Sequence, residues 1–228
     1  MVKDRKSGIS IQVSLSGYSF KLYQNGEVIM SSPWLPAGDV FVTPEFQRRY
    51  DAVELSVFTP KCTLVPSQFF CPEKAREILA DVCVLEQDDA VSSVAIPEFG
   101  AVLVFSTLTG ENISRTLSAT VLQTDGTGVK ALPEFYFMLD SFSGIPEYNK
   151  IEAAYRDGYL YLLIGQGKSL LLCNSFEATD FTTALYFIFL AMKKLQLNPE
   201  VSSIYFRTPL SPDQEDTLYR YFKSVDYL

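Results

Sequence analysis

The chain has 228 residues, 47% of them hydrophobic and 14% aromatic, and a formal net charge of −8. That length makes one large domain or two small ones with a substantial core, and the composition is globular rather than disordered. No run of Lys and Arg forms a stripe, which argues against nucleic acid or an anionic membrane as partner. There is no histidine, which excludes Ser-His-Asp and Cys-His nucleophile systems and His-ligated zinc.

The opening, "MVKDRKSGISIQV", alternates apolar with polar residues and shows no continuous signal-peptide core. The longest apolar run, Ala184 to Met192, is far short of the roughly 20 residues that span a bilayer. Cys62, Cys71, Cys83 and Cys173 form no CxxC pair, as expected for reduced thiols in a cytoplasmic protein.

In chain order, "SLSGYSFKLYQNGEVI" at residues 14–29 predicts two strands around a Ser-Gly-Tyr corner, then an Asn-Gly turn into a third strand. "VTPEFQRRY" predicts a short helix with Pro in its first turn, and "AVELSVF" a strand. "CPEKAREILADVCVLEQ" predicts a helix with Ala75, Ile78, Leu79 and Val82 on one stripe. The segment from about Ala90 to Lys150 is less legible; it completes the first half and holds "TDGTGVK", a hinge or surface loop.

"YRDGYLYLLIGQGKSL" at 155–170 echoes the first hairpin at an offset of 141, which pairs Gly17 with Gly158, Tyr18 with Tyr159 and Gly26 with Gly167. Two unrelated hairpins would share some of this pattern; an internal duplication accounts for more of it. "TDFTTALYFIFLAMKKLQL" is the strongest helix, capped by Thr179 or Asp180 and ended by Asn198-Pro199. It also carries Tyr186, Phe187 and Phe189 off its main stripe, so it is expected between the two halves, with a homodimer contact as the second reading. "VSSIYFR" is a strand and "SPDQEDTLYRYFKS" a capped helix.

Each half thus reads as three antiparallel strands, a helix, a strand and a helix. A strand added after a crossover pairs in parallel, so the fold class is α/β: two tandem ribonuclease H-like units in an actin-like ATPase arrangement. The division falls at residues 1–150 and 151–228.

"CNSFEATDFTTALYFIFLAMKKLQLNPEVSSIYF" and "TLVPSQFF" at 63–70 resemble a bacterial family, domain of unknown function 3822. Its Asn-x-Phe-x-x-Thr-x-Asp segment is matched by Asn174, Phe176, Thr179 and Asp180, its helix by Leu185 and Tyr186, and its exit by Leu197-Asn198-Pro199-Glu200. The resemblance runs from about Ile9 to the C-terminus and implies an actin-like ATPase fold with no assigned activity. Where members carry a Gly after the strand, this chain has Arg207-Thr208-Pro209.

Actin-like ATPases place an acid on the first strand of each half, near Gly turns that cradle phosphate. Anchoring that pattern on Lys21 puts Ser14 at the acid position and Ser16 at the Gly position; the offset of 141 puts Tyr155 and Asp157 at their counterparts. Neither first strand is expected to carry the carboxylate. Asp157 is either a displaced acid or, with Gly158, an ordinary turn pair. Gly17, Lys21, Asp157, Gly167 and Lys168 remain as degenerate phosphate corners, and "IGQGKS" lacks full phosphate-loop spacing. Glu54 reads as a solvent-facing strand residue, Asp88-Asp89 as loop charge and "PDQEDT" as helix N-terminal charge.

The expected function is a non-catalytic scaffold or protein-binding module, with no catalytic residue, metal or cofactor and with a protein partner. The alternative is a divergent ATPase that holds Mg-ATP in the cleft between the halves; a small-molecule sensor using that cleft is the third option.

Overall fold

A computed structural model describes residues 6–106 and 111–228. Residues 1–5, at the head of the segment in which no signal-peptide core was read, and 107–110 lie outside the described residues. The strands and α-helices in chain order are β1 (Ser7–Ser14), β2 (Gly17–Gln24), β3 (Glu27–Ser31), β4 (Arg49–Tyr50), β5 (Ala52–Val57), β6 (Cys62–Pro66), α1 (Ala75–Ala80), β7 (Val91–Ile96), β8 (Ala101–Ser106) and α2 (Glu111–Thr120). They continue with β9 (Leu122–Gln123), β10 (Leu132–Pro133), α3 (Glu134–Phe142), β11 (Asn149–Arg156), β12 (Tyr159–Gln166), β13 (Ser169–Glu177), α4 (Phe181–Lys194), β14 (Ser203–Phe206), α5 (Pro212–Tyr219) and β15 (Ser224–Tyr227).

Two compact units result. The first is Met1–Lys61, Cys83–Ser92 and Phe105–Glu134; the second is Cys62–Val82, Ser93–Val104 and Phe135–Leu228. The less legible segment is therefore shared between the units instead of completing one of them.

The first unit is built on the sheet β10-β5-β1-β2-β3. β1, β2 and β3 pair antiparallel, and β5 and β10 add in parallel on the other side of β1. Ile9, Ile11 and Val13 of β1 and Tyr18, Phe20 and Leu22 of β2 face one core, closed by Leu117 of α2 and by Val40 and Phe46. The predicted helix at "VTPEFQRRY" is a single 3-10 turn, Pro44–Gln47. The helix predicted to run from Cys71 stops at Ala80, and Val82, which was counted on its stripe, is 61% exposed. The chain leaves it to enter the first unit, where Asp89 is an anchor. Its carboxylate accepts from Lys61 Nζ, Ser106 Oγ and the Glu86 N–H, each at 2.6 Å. Asp89 is thus a buried ion-pair partner and not loop charge.

The second unit repeats the plan with β13-β12-β11-β14-β15. β11, β12 and β13 are antiparallel, while β14 pairs in parallel with β11 and β15 with β14. The three-stranded sheet β6-β8-β7 lies mostly in this unit. α4 buries Ala184, Leu185, Ile188 and Met192 against this core. Asp180 caps it, accepting from the Thr183 N–H at 2.7 Å. Of its extra aromatics, Phe187 stacks on Phe176 and Phe189 stacks on Phe222 and meets Tyr221 edge-on, while Tyr186 is 60% exposed.

The hairpins correspond at an offset of 142, not 141. β1 and β11 are eight residues each and begin at Ser7 and Asn149 (149 − 7 = 142); β2 and β12 begin at Gly17 and Tyr159 (159 − 17 = 142). Core membership agrees, since Tyr18, Phe20 and Leu22 face one core where Leu160, Leu162 and Ile164 face the other. A one-residue slip would move every side chain to the opposite face. The glycines that suggested 141 exist for different reasons. Gly17, at φ +144, opens β2, and a Cβ there would lie 2.0 Å from the Leu35 carbonyl oxygen. Gly158, at φ +76, completes a two-residue turn with Asp157 at φ +49, a left-handed pair suited to hairpin twist.

Gly17→Ala is expected to cost at least about 2 kcal/mol, combining backbone strain with a clash against backbone. Gly26→Ala, with φ +86 but open space around it, should cost only about 1 kcal/mol. Urea denaturation of both variants checks the order. Burial alone would raise the Asp89 carboxyl, but its hydrogen bonds from Lys61, Ser106 and Glu86 hold it below the usual 3.8. Its contribution to stability is therefore present above that value and lost as pH falls through the lowered one. Asp89→Asn should flatten the acid limb of a stability profile taken from about pH 6 to about pH 3.

Candidate functional site

Ligands in open α/β sheets gather at the carboxyl ends of the parallel strands, which places the first candidate site where β1, β5 and β10 end. The face of β1 opposite the core presents Gln12 and Ser14, and Gln12 is directly paired with Ser56 of β5. β10 pairs Leu132 with Ser56 and Pro133 with Val57, so the next residue, Glu134, is delivered above this row. Glu134 is 1% exposed. One carboxylate oxygen accepts from Gln12 Nε2 at 2.9 Å and the other from Ser56 Oγ. Ser14 and Ser16 join the corner, their hydroxyls 3.1 Å apart, and the Ser16 N–H donates to Ser14 Oγ. The acid at this corner thus comes from the first residue of α3. Sequence reasoning missed it, because a Pro-Glu helix start inside an illegible segment gives no sign that the Glu is buried.

At the corresponding corner of the second unit, the offset of 142 moves the counterpart of Ser14 from Tyr155 to Arg156. Tyr155 is held by its own N–H, donating to buried Thr208 Oγ1 at 3.1 Å, and by its hydroxyl, donating to the Ala178 carbonyl at 3.1 Å. Burial and the charge of Asp180 push its phenol up. Arg156 Nε stands 3.6 Å from Asp157, and burial lowers the guanidinium while Asp157 counteracts. Asp157 is therefore a turn residue that is also an ion-pair partner.

One expectation about the strands is overturned. β11 does carry a carboxylate, Glu152, fully buried on the face away from the core. It lies four residues before Arg156, about 13 Å from the corner at strand rise, and is already committed. Ser141 Oγ donates to it at 2.9 Å, Arg207 Nη1 donates to Ser141 Oγ at 3.1 Å, and Arg207 Nε is 4.0 Å away. The absent family Gly is thus replaced by a residue that neutralises a buried acid.

Within each unit the residues proposed as phosphate corners are spread along the strands. Gly17 and Asp157 sit at the two corners. Lys21 lies mid-strand in β2, paired with Ser10 and Ser31 on the sheet face away from the core. Gly167 and Lys168 form the β12–β13 turn, about 25 Å along β12 from Asp157. Glu54 is exposed on β5. Asp213 and Glu215 lie in the first turn of α5 behind a Ser211–Gln214 capping box. Among the described residues, no three Cys, Asp or Glu side chains cluster to hold a metal ion.

Glu134→Ala strands the Gln12 and Ser56 donors in a buried place and should cost about 2–3 kcal/mol in urea unfolding. Glu134→Gln keeps a carbonyl acceptor and should recover at least half of that loss.

A family model described as "Protein of unknown function (DUF3822)" matches residues 3–225. No curated protein matches. A solved structure from Bacteroides thetaiotaomicron, a protein with actin-like ATPase fold and unknown function, aligns at TM-score 0.72 and 17% identity, covering 98% of this chain and 91% of that one. PilM in a PilM–PilN type IV pilus biogenesis complex aligns at TM-score 0.49 and 10% identity, over 97% and 88% of the chains. The Aquifex aeolicus PPX-GPPA enzyme aligns at 0.37 and 10%, over 95% and 82%. The fold is that of the actin-like ATPases, with two mixed sheets flanked by helices, and the chain belongs to the DUF3822 family.

Proposed function

We propose that this is a non-catalytic, cytoplasmic protein of actin-like ATPase fold that acts by binding another protein, with no nucleotide, metal or other cofactor. One observation carries the reading: a hydroxyl, Ser14, stands where the ATPase pattern anchored on Lys21 puts the first carboxylate, and a guanidinium, Arg156, stands at its counterpart by the observed offset of 142. A cation cannot replace a carboxylate as a magnesium ligand. A surface that fits the partner role is the edge strand β3, whose Val28, Ile29 and Met30 are 52%, 60% and 43% exposed. Contiguous exposed apolar side chains of this kind mark interaction sites. The coincident strand plan of the two sheets supports their origin by duplication.

The second reading, a divergent ATPase, is favoured by Glu134, a buried carboxylate beside the first corner that could orient a water if Ser56 released it. Calorimetry with Mg-ATP, Mg-ADP and a nucleotide panel separates the two. The proposal expects no heat of binding and no thermal shift at millimolar nucleotide. Micromolar affinity that disappears in Glu134→Gln or Asp157→Asn would overturn it, since a ligand at 100 times its Kd stabilises by about 2.7 kcal/mol.

A further inference from the structure

The turn at Gly167-Lys168, at the opposite end of β12 from the Asp157 corner, borders a hollow of about 440 Å³ in the second unit. That volume lies within the range of small-molecule sites, roughly 300–1,000 Å³. Most of its wall residues are apolar, Leu64 and Pro66 of β6, Phe99, Ala101, and Leu170 of β13, with Ser169 among them. Its mouth carries two charges, Lys168 and Glu98. They are not equivalent. Glu98 accepts a short hydrogen bond from Ser143 Oγ, which fixes the direction of its carboxylate. Lys168 has no hydrogen bond or ion pair among the described residues.

The hollow is held in shape by backbone features. Between Ile164 and Gly165 the β12–β13 register shifts, so Leu171 is an extra residue in the edge strand beside Ser169 and Leu170. Bulges of this kind bend a strand and recur next to binding sites. Gly165 permits close packing below: a Cβ there would lie 2.8 Å from the Phe142 ring and 2.5 Å from the Ser169 carbonyl oxygen. Phe142 in turn supports Phe99, ring centroids 6.3 Å apart. Gly167 adopts φ +56, which sets the direction in which Lys168 leaves the turn.

We propose that this hollow binds a small amphiphilic carboxylate, its apolar body against Leu64, Phe99 and Leu170 and its carboxylate on the Lys168 ammonium. The physical reason is the division of labour in the site. Apolar walls gain free energy from any hydrocarbon body, and the one mouth charge left without a protein partner is a cation that forms charge-assisted hydrogen bonds with an oxyanion. The site is independent of the nucleotide question, because its residues lie about 25 Å along β12 from the second corner.

The test is calorimetric titration of the full chain with sodium octanoate, and with 1-octanol as an uncharged molecule of the same length. The expected result is a Kd for octanoate below about 1 mM, with 1-octanol at least tenfold weaker. Lys168→Gln should weaken octanoate about tenfold and leave 1-octanol unchanged, Lys168→Arg should retain binding, and Phe99→Ala should weaken both ligands. Lys168 is exposed, so its variants are expected to fold, and circular dichroism verifies that. Absence of octanoate binding, equal binding of the two ligands, or octanoate affinity unchanged in Lys168→Gln would each overturn the proposal.

Discussion

Side chains on a strand alternate between two faces, and that alternation in β1 and β11 governs the rest of each unit. The odd positions of β1 and β11 are spent on the cores, through Ile9, Ile11 and Val13 in one and Ile151 and Ala153 in the other. The even positions are then turned toward the opposite face, where the polar chemistry collects. Gln12 meets Glu134 there in the first unit, beside Ser56, and Glu152 meets Ser141 and Arg207 in the second. Parallel addition of β5 and β14 on the far side of β1 and β11 completes these rows.

The two buried acids show how such rows tolerate charge. A carboxylate removed from water is costly unless donors satisfy it. Glu134 is held by neutral donors on both oxygens, an amide and a hydroxyl. Glu152 is held by a hydroxyl that is itself fixed by Arg207, with the guanidinium close enough to compensate the charge. The first arrangement places its acid among an amide and a hydroxyl; the second sets a guanidinium beside it. Glu134 opens α3 and Glu152 lies within β11, at the counterpart of Ser10, so the two acids occupy different fold positions with different surroundings.

Much of the fold was legible in the residues because it rests on local rules. Asn25-Gly26 marks a left-handed turn, Asp180 caps α4, and Ser211 with Gln214 closes a capping box. Each of these is decided by neighbours within a few positions. The alternation in β1, β2 and β12 likewise follows from a two-residue period and needs no tertiary information. The lone slip, from 142 to 141, came from matching glycine to glycine. Gly17 answers to Leu35, eighteen residues away, while Gly158 answers to its own turn, and identity of residue type does not reveal which constraint applies.

By itself, then, the amino-acid sequence determined most element types, the paired hairpins and the α/β class, because periodicity, caps and turns act over short range. Tertiary structure alone decided which acids are buried and which cations are committed. Glu134 becomes buried only when β10 pairs with β5, and Asp89 only when its segment meets Lys61 and Ser106. Lys168 gains its significance only from Leu64 and Phe99, about 70 to 100 positions earlier in the chain, which wall the hollow beside it. Burial and charge compensation depend on neighbours that are distant in sequence, and no local pattern encodes them.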